Sequence, residues 1–326
     1  MRSLEVTLVN PPHQAHPLGD EKEIAPPLGL LRLADGLIRA GHVPRIEDLN
    51  LRWHTDPALR RDFYGRAAER ILEGSPDVVG FTSMAVDTHV ALQLAAEVKA
   101  RAPDTVVALG GPHAGLLSRE IRERWSCVDL VVRGDGVRPL AEMASRLARL
   151  ERGPRRVAAA RGDAIPGDVA PDAERWDFRS AYALVDWDDY FRITGRRHAN
   201  VEGGRGCRYR CSFCYSPAHH AGWRTAPVDA LLEELEYLRG VGVDDVFFVE
   251  DNFLNAPDWS VQAARAIGAA LPGLSWSCYA TLPALSGEVL GELGAGGCRA
   301  VFSGVDAITP VARRTYHKAF ARQISP

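Results

Sequence analysis

The sequence predicts an α/β protein of two domains, the first a doubly wound parallel sheet and the second a partial barrel of β/α units. Short β-branched runs alternate with helical patterns through both halves, which is typical of parallel sheets covered by helices. The 326 residues suit two domains that each bury a core. A stretch rich in Pro, Gly and charge, without steady periodicity, separates the halves.

The first domain, residues 1–150, is predicted from five strand-like runs. They are LEVTLVN (4–10), VPRIEDLN (43–50), DVVGFTS (77–83), VVALGG (106–111) and VDLVVRG (128–134). Between them apolar residues recur at helical spacing, as in Leu140, Met143, Ala144 and Leu147. We expect a Rossmann-like, flavodoxin-like fold, in which ligands bind in the loops after the carboxyl ends of the strands.

The loops after these strands combine glycines with small polar side chains. Glycine lets the backbone approach a ligand closely, and hydroxyl groups add hydrogen-bond donors. A large polar cofactor would suit this combination, and ordinary turns between strand and helix are the alternative. The candidate binding residues are Asn10, Pro11, Thr82, Ser83, Gly110, Gly111, Pro112, His113, Gly134, Asp135 and Gly136.

The predicted linker spans residues 151–195, and the second domain spans residues 196–326. Strand-like runs in the second domain lie at 199–203, 244–251, 274–280 and 298–306, with amphipathic helical patterns between them. A closed barrel of eight β/α units needs about 250 residues. We therefore expect an open arc of four units, or a chain cut short after the fourth.

Three cysteines, Cys207, Cys211 and Cys214, fall within the stretch GGRGCRYRCSFCYSP (203–217). Thiolates are soft ligands that hold iron–sulfur clusters and zinc. A four-iron cluster takes four ligands, so three cysteines leave one iron open to a molecule that is not protein. Zinc is the structural alternative, because His219 could complete a site of three cysteines and one histidine.

The composition argues against several other classes of protein. The formal net charge is -3 and no Lys/Arg block stands alone, so nucleic acid is not an expected partner. The chain starts without the apolar stretch of a secretory signal, and nowhere do 18 apolar residues run together. We expect a cytoplasmic protein without a membrane segment, whose remaining cysteines are free thiols in a reducing compartment.

The segment CRYRCSFC, preceded by RG and with Phe213 before the last cysteine, resembles the signature of the radical S-adenosylmethionine (SAM) superfamily. The first half resembles the cobalamin-binding domain of one large subgroup, through PPLGLLRLADGLIRAGH (26–42), DVVGFTS, ALGGPHAG and VVRGDG in the same order. The resemblance implies a 4Fe-4S cluster on the three cysteines, whose open iron chelates SAM. It also implies reductive cleavage of SAM to a 5'-deoxyadenosyl radical, and a cobalamin that carries a methyl group to the substrate.

The resemblance further implies roles for residues of the second domain. Phe213 matches an aromatic residue whose backbone lies by the adenine of SAM. Glu250 and Asp251 match acidic side chains directed toward the SAM ammonium, where a carboxylate would pair with a cation. Ser303 and Asp306 lie in the segment that matches the ribose-binding strand.

The sequence also departs from the family pattern at several positions. Asp306 and Ala307 stand where the family commonly has Glu and Ser, and Thr281 stands where it often has Arg. No D-x-H-x-x-G segment is present to supply a histidine to the lower face of cobalt, so we expect that face to lack a histidine ligand. His13 and His113 are among the imidazoles without that context, and His113 is expected to shape its loop.

These features predict a cobalamin-dependent radical SAM methyltransferase that acts on a small-molecule biosynthetic intermediate and takes electrons from a donor such as flavodoxin or ferredoxin. One alternative is a truncated, catalytically incomplete protein that binds cofactors, and another is a radical SAM enzyme that does not use cobalamin. A partner chain could complete the barrel. The sequence predicts neither the substrate nor a catalytic residue, because the fold alone does not specify them.

Overall fold

The computed structural model describes residues 2–12, 24–161, 165–167, 176–220, 222–306 and 308–318. His13 and Ala307, named above, lie outside these residues. Contacts within the chain divide it into two compact units. The first unit comprises Met1–Val169 and Phe178–Gly195, and the second comprises Ala170–Asp177 and Arg196–Pro326.

The first unit is built on a parallel sheet that contains all five predicted strands. Its strands are β1 (Glu5–Asn10), β2 (Val43–Asp48), β3 (Val78–Thr82), β4 (Val106–Gly110), β5 (Leu130–Arg133) and the two-residue β6 (Ile165–Pro166). Their order is β2-β1-β3-β4-β5-β6, and every pair is parallel. This is the doubly wound order that the sequence predicts for a flavodoxin-like domain.

Helices surround this sheet and close its core. They are α1 (Leu28–Arg39), α2 (Leu49–Thr55), α3 (Phe63–Ile71), α4 (Thr88–Arg101), α5 (Pro112–Leu116), α6 (Ser118–Arg124), α7 (Val137–Leu147), α8 (Pro154–Ala160), α9 (Arg179–Tyr182) and α10 (Trp187–Thr194). The core residues Val79, Leu94 and Val107 are fully buried. The apolar periodicity seen in the sequence thus becomes a sheet covered by amphipathic helices.

Much of the predicted linker, residues 151–195, packs on the first unit. Helices α8 to α10 and strand β6 all fall in this range. The Tyr190 hydroxyl donates a hydrogen bond to Asp48 at the end of β2, and Arg52 forms an ion pair with Asp189 at 3.1 Å. These contacts join positions more than 130 residues apart in sequence, so local periodicity could not reveal them.

The second unit contains the four predicted β/α units. Its strands are β7 (His198–Val201), β8 (Gly204–Arg205), β9 (Arg224–Thr225), β10 (Asp245–Phe248), β11 (Ser275–Tyr279) and β12 (Cys298–Phe302). The long strands form one parallel sheet in the order β12-β11-β10-β7, while β8 and β9 form an antiparallel pair. In the described part of the chain, this sheet is an open arc.

The helices of the second unit follow its strands. They are α11 (Ser216–His219), α12 (Val228–Gly240), α13 (Pro257–Ala270), α14 (Gly287–Ala295) and α15 (Pro310–Thr315). The indole of Trp276 in β11 donates a hydrogen bond of 2.7 Å to the Gly296 carbonyl, just after α14. Across both units, none of the helices in the described residues has the length and apolar character required to cross a membrane.

The two faces of the second sheet differ. Val246, Phe248, Trp276 and Cys278 are fully buried on one face. On the other face, Phe247, Tyr279 and Phe302 contact one another, with ring centroids 5.0 to 6.0 Å apart. The alternation follows from the two-residue period of a strand.

The pairing of β11 with β12 contains one irregularity. Trp276 pairs with Cys298, but Ser277 pairs with Ala300, so the ladder passes over Arg299. One extra residue in a strand shifts all later side chains by one position relative to the partner strand. As a result Phe302 lies opposite Tyr279.

Candidate functional site

The three predicted metal-binding cysteines lie on one loop of the second unit, between β8 and α11. The loop begins at Gly206, whose φ of 70° falls in the region that favours glycine. A Cβ atom there would collide with the Gly222 backbone. The sequence thus places glycine where the chain must turn sharply, immediately before Cys207.

The thiols of Cys207, Cys211 and Cys214 are partly buried and free. Burial raises the pKa of the Cys207 thiol, and the neighbouring Asp251, Cys211 and Cys214 raise it further. Burial also raises the pKa of Cys211, as does Cys214, while Lys318 opposes this shift. The thiols of Cys211 and Cys214 thus act electrostatically on Cys207.

Within the described ranges, no three His, Cys, Asp or Glu side chains are arranged to hold a single metal ion. A four-iron cluster makes a different demand, because each of its cysteine ligands binds a different iron.

Two asparagines connect the cysteine loop to the segment that follows β10. The Asn255 Nδ2 donates to the Gly206 carbonyl at 2.8 Å, and its Oδ1 accepts from the Arg208 amide at 3.0 Å. The Asn252 Nδ2 donates to the Asn255 Oδ1 at 3.0 Å, and its own Oδ1 accepts from the Thr281 amide at 3.1 Å. Through these hydrogen bonds, the two asparagines link the cysteine loop to the end of β11.

The two acidic residues after β10 differ in their surroundings. Asp251 accepts a hydrogen bond of 2.7 Å from the buried Ser216 hydroxyl, just beyond Cys214. Glu250 is 4% exposed, and neither of its carboxyl oxygens makes a hydrogen bond of normal geometry. Burial raises the pKa of Glu250 well above its usual range. The nearby Glu202 and Asp251 raise it further, while backbone amides oppose the shift.

Two further buried oxygens lie after neighbouring strands. The Thr281 hydroxyl, after β11, and the Ser303 hydroxyl, after β12, have no hydrogen-bond partner among the described residues. Together with the Glu250 carboxyl, these two hydroxyls put buried polar atoms without hydrogen-bond partners after the three adjacent strands β10, β11 and β12. Buried polar groups are normally hydrogen-bonded, so this edge of the sheet has the donor and acceptor groups that a polar ligand requires.

The segment after α15 lies against the cysteine loop. The Ser212 amide donates to the Tyr316 carbonyl at 2.9 Å, and the Phe213 ring packs edge-on against Tyr316 at 5.6 Å. Lys318 is 6% exposed. It forms an ion pair with Asp306 and donates to the Gly304 carbonyl at 2.9 Å. Asp306, predicted to contact ribose, is therefore paired with a lysine.

Exposed aromatic rings lie on the open face of the second sheet, close to the same edge. Tyr279 is 46% exposed and Phe302 is 50% exposed, although exposed single aromatic residues are common on protein surfaces. Here they form one group with Phe247. This group gives the open face an apolar surface.

In the first unit, the loops after β3 and β4 come together around Gly111. Its φ is 97°, and a Cβ atom there would lie 2.6 Å from the Ser83 carbonyl and 3.2 Å from the Thr82 hydroxyl. The Ser83 hydroxyl is fully buried and has no partner among the described residues. The backbone thus leaves no room for a side chain at Gly111, and an unsatisfied hydroxyl remains beside it.

His113 and Asn10 have partners within the first unit. The Thr88 hydroxyl donates to the Met84 carbonyl, so it can accept a hydrogen bond from His113 Nδ1 at 2.7 Å. The Asn10 Nδ2 donates to Asp48 Oδ1 at 2.8 Å. Both side chains therefore hold the loops in place.

The remaining predicted residues of the first unit lie at the same carboxyl edge of the sheet. Asp135 Oδ1 accepts from the Val137 amide at 3.0 Å at the start of α7. The others follow or end a strand: Pro11 after β1, Gly110 at the end of β4, Pro112 at the start of α5, and Gly134 and Gly136 after β5. The structure thus gathers them at one edge.

Sequence reasoning missed several residues of the second site. Asn252, Asn255, Ser216 and Lys318 all contact the cysteine loop or its neighbours. The only local signal for the two asparagines was their position directly after a strand, in VEDNFLN (249–255). Their importance depends on partners more than 25 residues away, which no local pattern reveals.

Comparison with protein families gives two matches. Residues 20–144 match the model of the B12 binding domain, and residues 201–326 match the model of the radical SAM superfamily. The first match covers strands β2 to β5 with the loops around Gly111, and the second covers the cysteine loop. Together they agree with the order of domains that the sequence resemblance predicts.

Two curated relatives extend these matches. An uncharacterized methyltransferase of Pyrococcus horikoshii is 25% identical over 325 residues, covering 95% of this chain and 67% of the relative. The anaerobic magnesium-protoporphyrin IX monomethyl ester cyclase of Synechocystis is 24% identical over 241 residues, covering 72% of this chain and 47% of the relative. The chain thus spans about two thirds of the length of the first relative and just under half of the second.

A solved structure shares the fold. The radical SAM methyltransferase TsrM from Kitasatospora setae, solved with cobalamin and a [4Fe-4S] cluster, matches with a TM-score of 0.73 at 19% identity. The match covers 96% of this chain and 61% of TsrM. Sequence and structure comparisons therefore agree on the fold of both units.

Proposed function

Because this chain belongs to the radical SAM superfamily proteins that carry a B12-binding domain, we propose that it is a cobalamin-dependent radical SAM methyltransferase. The observation that carries the proposal is the loop with Cys207, Cys211 and Cys214, which stands at the carboxyl edge of a parallel sheet beside buried, unsatisfied polar groups. Ligands of α/β proteins bind at that edge.

The donor set of this loop suits a four-iron cluster. Three free thiols share one tight loop, and together they leave one iron without a protein ligand. When bound, such a cluster supplies an electron to SAM at the iron that no cysteine holds. The chain's own task is to hold the three sulfurs and to keep the substrate side of the site shielded from water.

Asp251 is our candidate for the residue that binds the SAM ammonium. The Ser216 hydroxyl fixes one of its oxygens at 2.7 Å, and its charge influences Cys207. Glu250 fits this role less well, because burial favours its neutral form. Ser303 and Thr281 offer hydroxyl groups to the rest of SAM, and Phe213 remains our candidate beside the adenine.

The loops at the carboxyl edge of the first unit suit a large cofactor that contacts the protein backbone. Gly111 has no room for a Cβ atom, so no side chain covers the backbone of this loop, and the buried Ser83 hydroxyl needs a partner. We propose that the loops with Thr82, Ser83 and Gly111 hold part of cobalamin. His113 is engaged with Thr88, which agrees with a role in shaping the loop.

The proposed substrate is a small molecule, and the proposed electron donor is a flavodoxin or ferredoxin in the cytoplasm. A ring-forming reaction is the second candidate, because the Synechocystis relative is a cyclase with similar identity. The remaining alternatives are a cofactor-binding protein without turnover, a radical SAM enzyme without cobalamin, and a chain that needs a partner to complete its barrel.

The test uses protein purified without oxygen, reconstituted with iron and sulfide and supplied with cobalamin. We expect SAM to be consumed, yielding 5'-deoxyadenosine or S-adenosylhomocysteine, only when Cys207, Cys211 and Cys214 are present. A triple alanine variant is the control. Cobalamin-dependent S-adenosylhomocysteine supports methyl transfer, while 5'-deoxyadenosine without any bound corrinoid favours a radical SAM enzyme that does not use cobalamin. A full cluster without SAM consumption would contradict the enzymatic proposal for this chain alone.

A further inference from the structure

The side chain of Asn255 pairs with the backbone on both sides of Cys207. It donates to the Gly206 carbonyl at 2.8 Å and accepts from the Arg208 amide at 3.0 Å. A residue in a parallel strand pairs with its neighbour in the same way, bonding to the residues before and after its partner. The Asn255 amide therefore takes the place of a parallel strand opposite Cys207.

The orientation of this amide is determined by its surroundings. Asn252 donates to the Asn255 Oδ1 at 3.0 Å, while Asn252 itself accepts from the Thr281 amide at 3.1 Å. If the Asn255 amide were reversed, its NH₂ group would face the donor groups of Asn252 and Arg208. Both asparagines are at least 97% buried, so water cannot relieve such a clash.

The same segment holds the loop at further points. The Arg208 guanidinium donates to the Asn255 carbonyl at 3.1 Å, so this residue makes three hydrogen bonds to the loop. At the far end of the loop, the Ser216 hydroxyl donates to Asp251. Residues 251–255 therefore hold both ends of the cysteine loop through hydrogen bonds from the protein itself.

We propose that Asn255, oriented by Asn252, is a positioning residue that sets the backbone around Cys207 before a cluster binds. This inference rests on the proposed function, because it assumes that the three thiols hold a cluster. A loop already ordered by the protein loses little conformational freedom when it binds its cofactor. The cofactor would then meet Cys207 in its final backbone conformation.

Three variants separate the hydrogen bonds involved. Asn255→Asp keeps the oxygen that accepts from Arg208 but replaces the donor to Gly206 with a second acceptor. Asn255→Ala removes both bonds. Asn252→Ala removes the orienting partner of Asn255 and the acceptor of the Thr281 amide, but no bond to the cysteine loop itself, so it should have the smallest effect on that loop. Asn200→Ala, on strand β7, is the control for substitution of an asparagine in the same sheet.

The first measurement uses the iron-free full chain. Hydrogen exchange at the Arg208 amide and alkylation of Cys207, both read by mass spectrometry of peptides, report on the loop directly. We expect the two Asn255 variants to raise both rates roughly tenfold, the effect of losing one or two buried hydrogen bonds. Amides elsewhere in the second unit should keep their rates, since a merely structural loss of stability would raise exchange throughout that unit.

The second measurement follows iron and sulfide per chain after reconstitution. We expect the content to fall in the order wild type, Asn252→Ala, then the Asn255 variants. If the wild-type chain takes up no cluster, the proposed function fails, while the exchange data still test the positioning role. A wild-type Arg208 amide that exchanges as freely as an exposed loop amide would overturn the inference, whether or not the variants fold. Unchanged alkylation and exchange in folded Asn255 variants would overturn it as well.

Discussion

Replacing the buried Glu250 with glutamine should stabilise the second unit at neutral and alkaline pH. The carboxyl is 4% exposed and has no hydrogen bond of normal geometry. Burial raises its pKa well above the ordinary glutamate value of 4.5. Glutamine has the same shape and carries no charge, so it mimics the protonated form that the folded chain favours.

The sign of the effect follows from linkage between proton binding and folding. Below pH 4.5 the carboxyl is protonated in both states, and its shift has no effect on stability. As pH rises from there toward the folded-state pKa, only the unfolded chain loses its proton. The folded state then loses about 1.4 kcal/mol of stability for each pH unit. Above the folded-state pKa the loss is constant.

The assay is thermal unfolding of the iron-free chain at several pH values, compared between wild type and Glu250→Gln. The variant's advantage should be near zero at pH 4 and should widen toward pH 8, by about 4 °C for each kcal/mol in a unit of this size. Glu288→Gln, at an exposed position of α14, is the control. A variant that is less stable than wild type at pH 8 would refute the reasoning, because it would mean that Glu250 is ionised and stabilised in the folded chain.

Four other substitutions give predictions for single residues. Gly111→Ala should destabilise the first unit by about 1–3 kcal/mol, because φ is 97° there and the new Cβ would meet backbone. Gly29→Ala, in α1 with no atom within 4 Å, should gain about 0.5–1 kcal/mol in the same melting experiment. Asp251→Asn should weaken SAM binding about tenfold in calorimetric titration of the reconstituted protein, since the charge-assisted contact is lost; unchanged affinity would exclude its role. Tyr190→Phe should cost about 1–3 kcal/mol in chemical unfolding, because Asp48 loses a donor inside the protein; an unchanged midpoint would contradict this.

Local patterns in the sequence predict most of the fold. The run DVVGFTS predicts β3, which spans Val78–Thr82, and CRAVFSGVD predicts β12, which spans Cys298–Phe302. These predictions succeed because a buried parallel strand needs β-branched and aromatic residues wherever it lies. The order of strands and helices also predicts where the carboxyl edge of each sheet lies. The likeness to cofactor-binding proteins follows, because ligands bind at that edge.

Contacts between distant residues could not be predicted. Asn255 matters because Gly206 and Arg208 lie beside it, and nothing in VEDNFLN indicates those partners. The difference in burial between Glu250 and Asp251 could be predicted in part. Glu250 follows Phe248 by two residues and therefore shares its buried side, so strand periodicity alone separates it from Asp251.

The irregular pairing at Arg299 decides which side chains form the open face of the second sheet. With regular pairing, Val301 would lie opposite Tyr279, and Phe302 would turn toward the helices. Because the ladder passes over Arg299, an aromatic ring takes the place of an aliphatic side chain on the open face of the sheet. An insertion or deletion at this position would alter the lining of that surface without changing any residue within it.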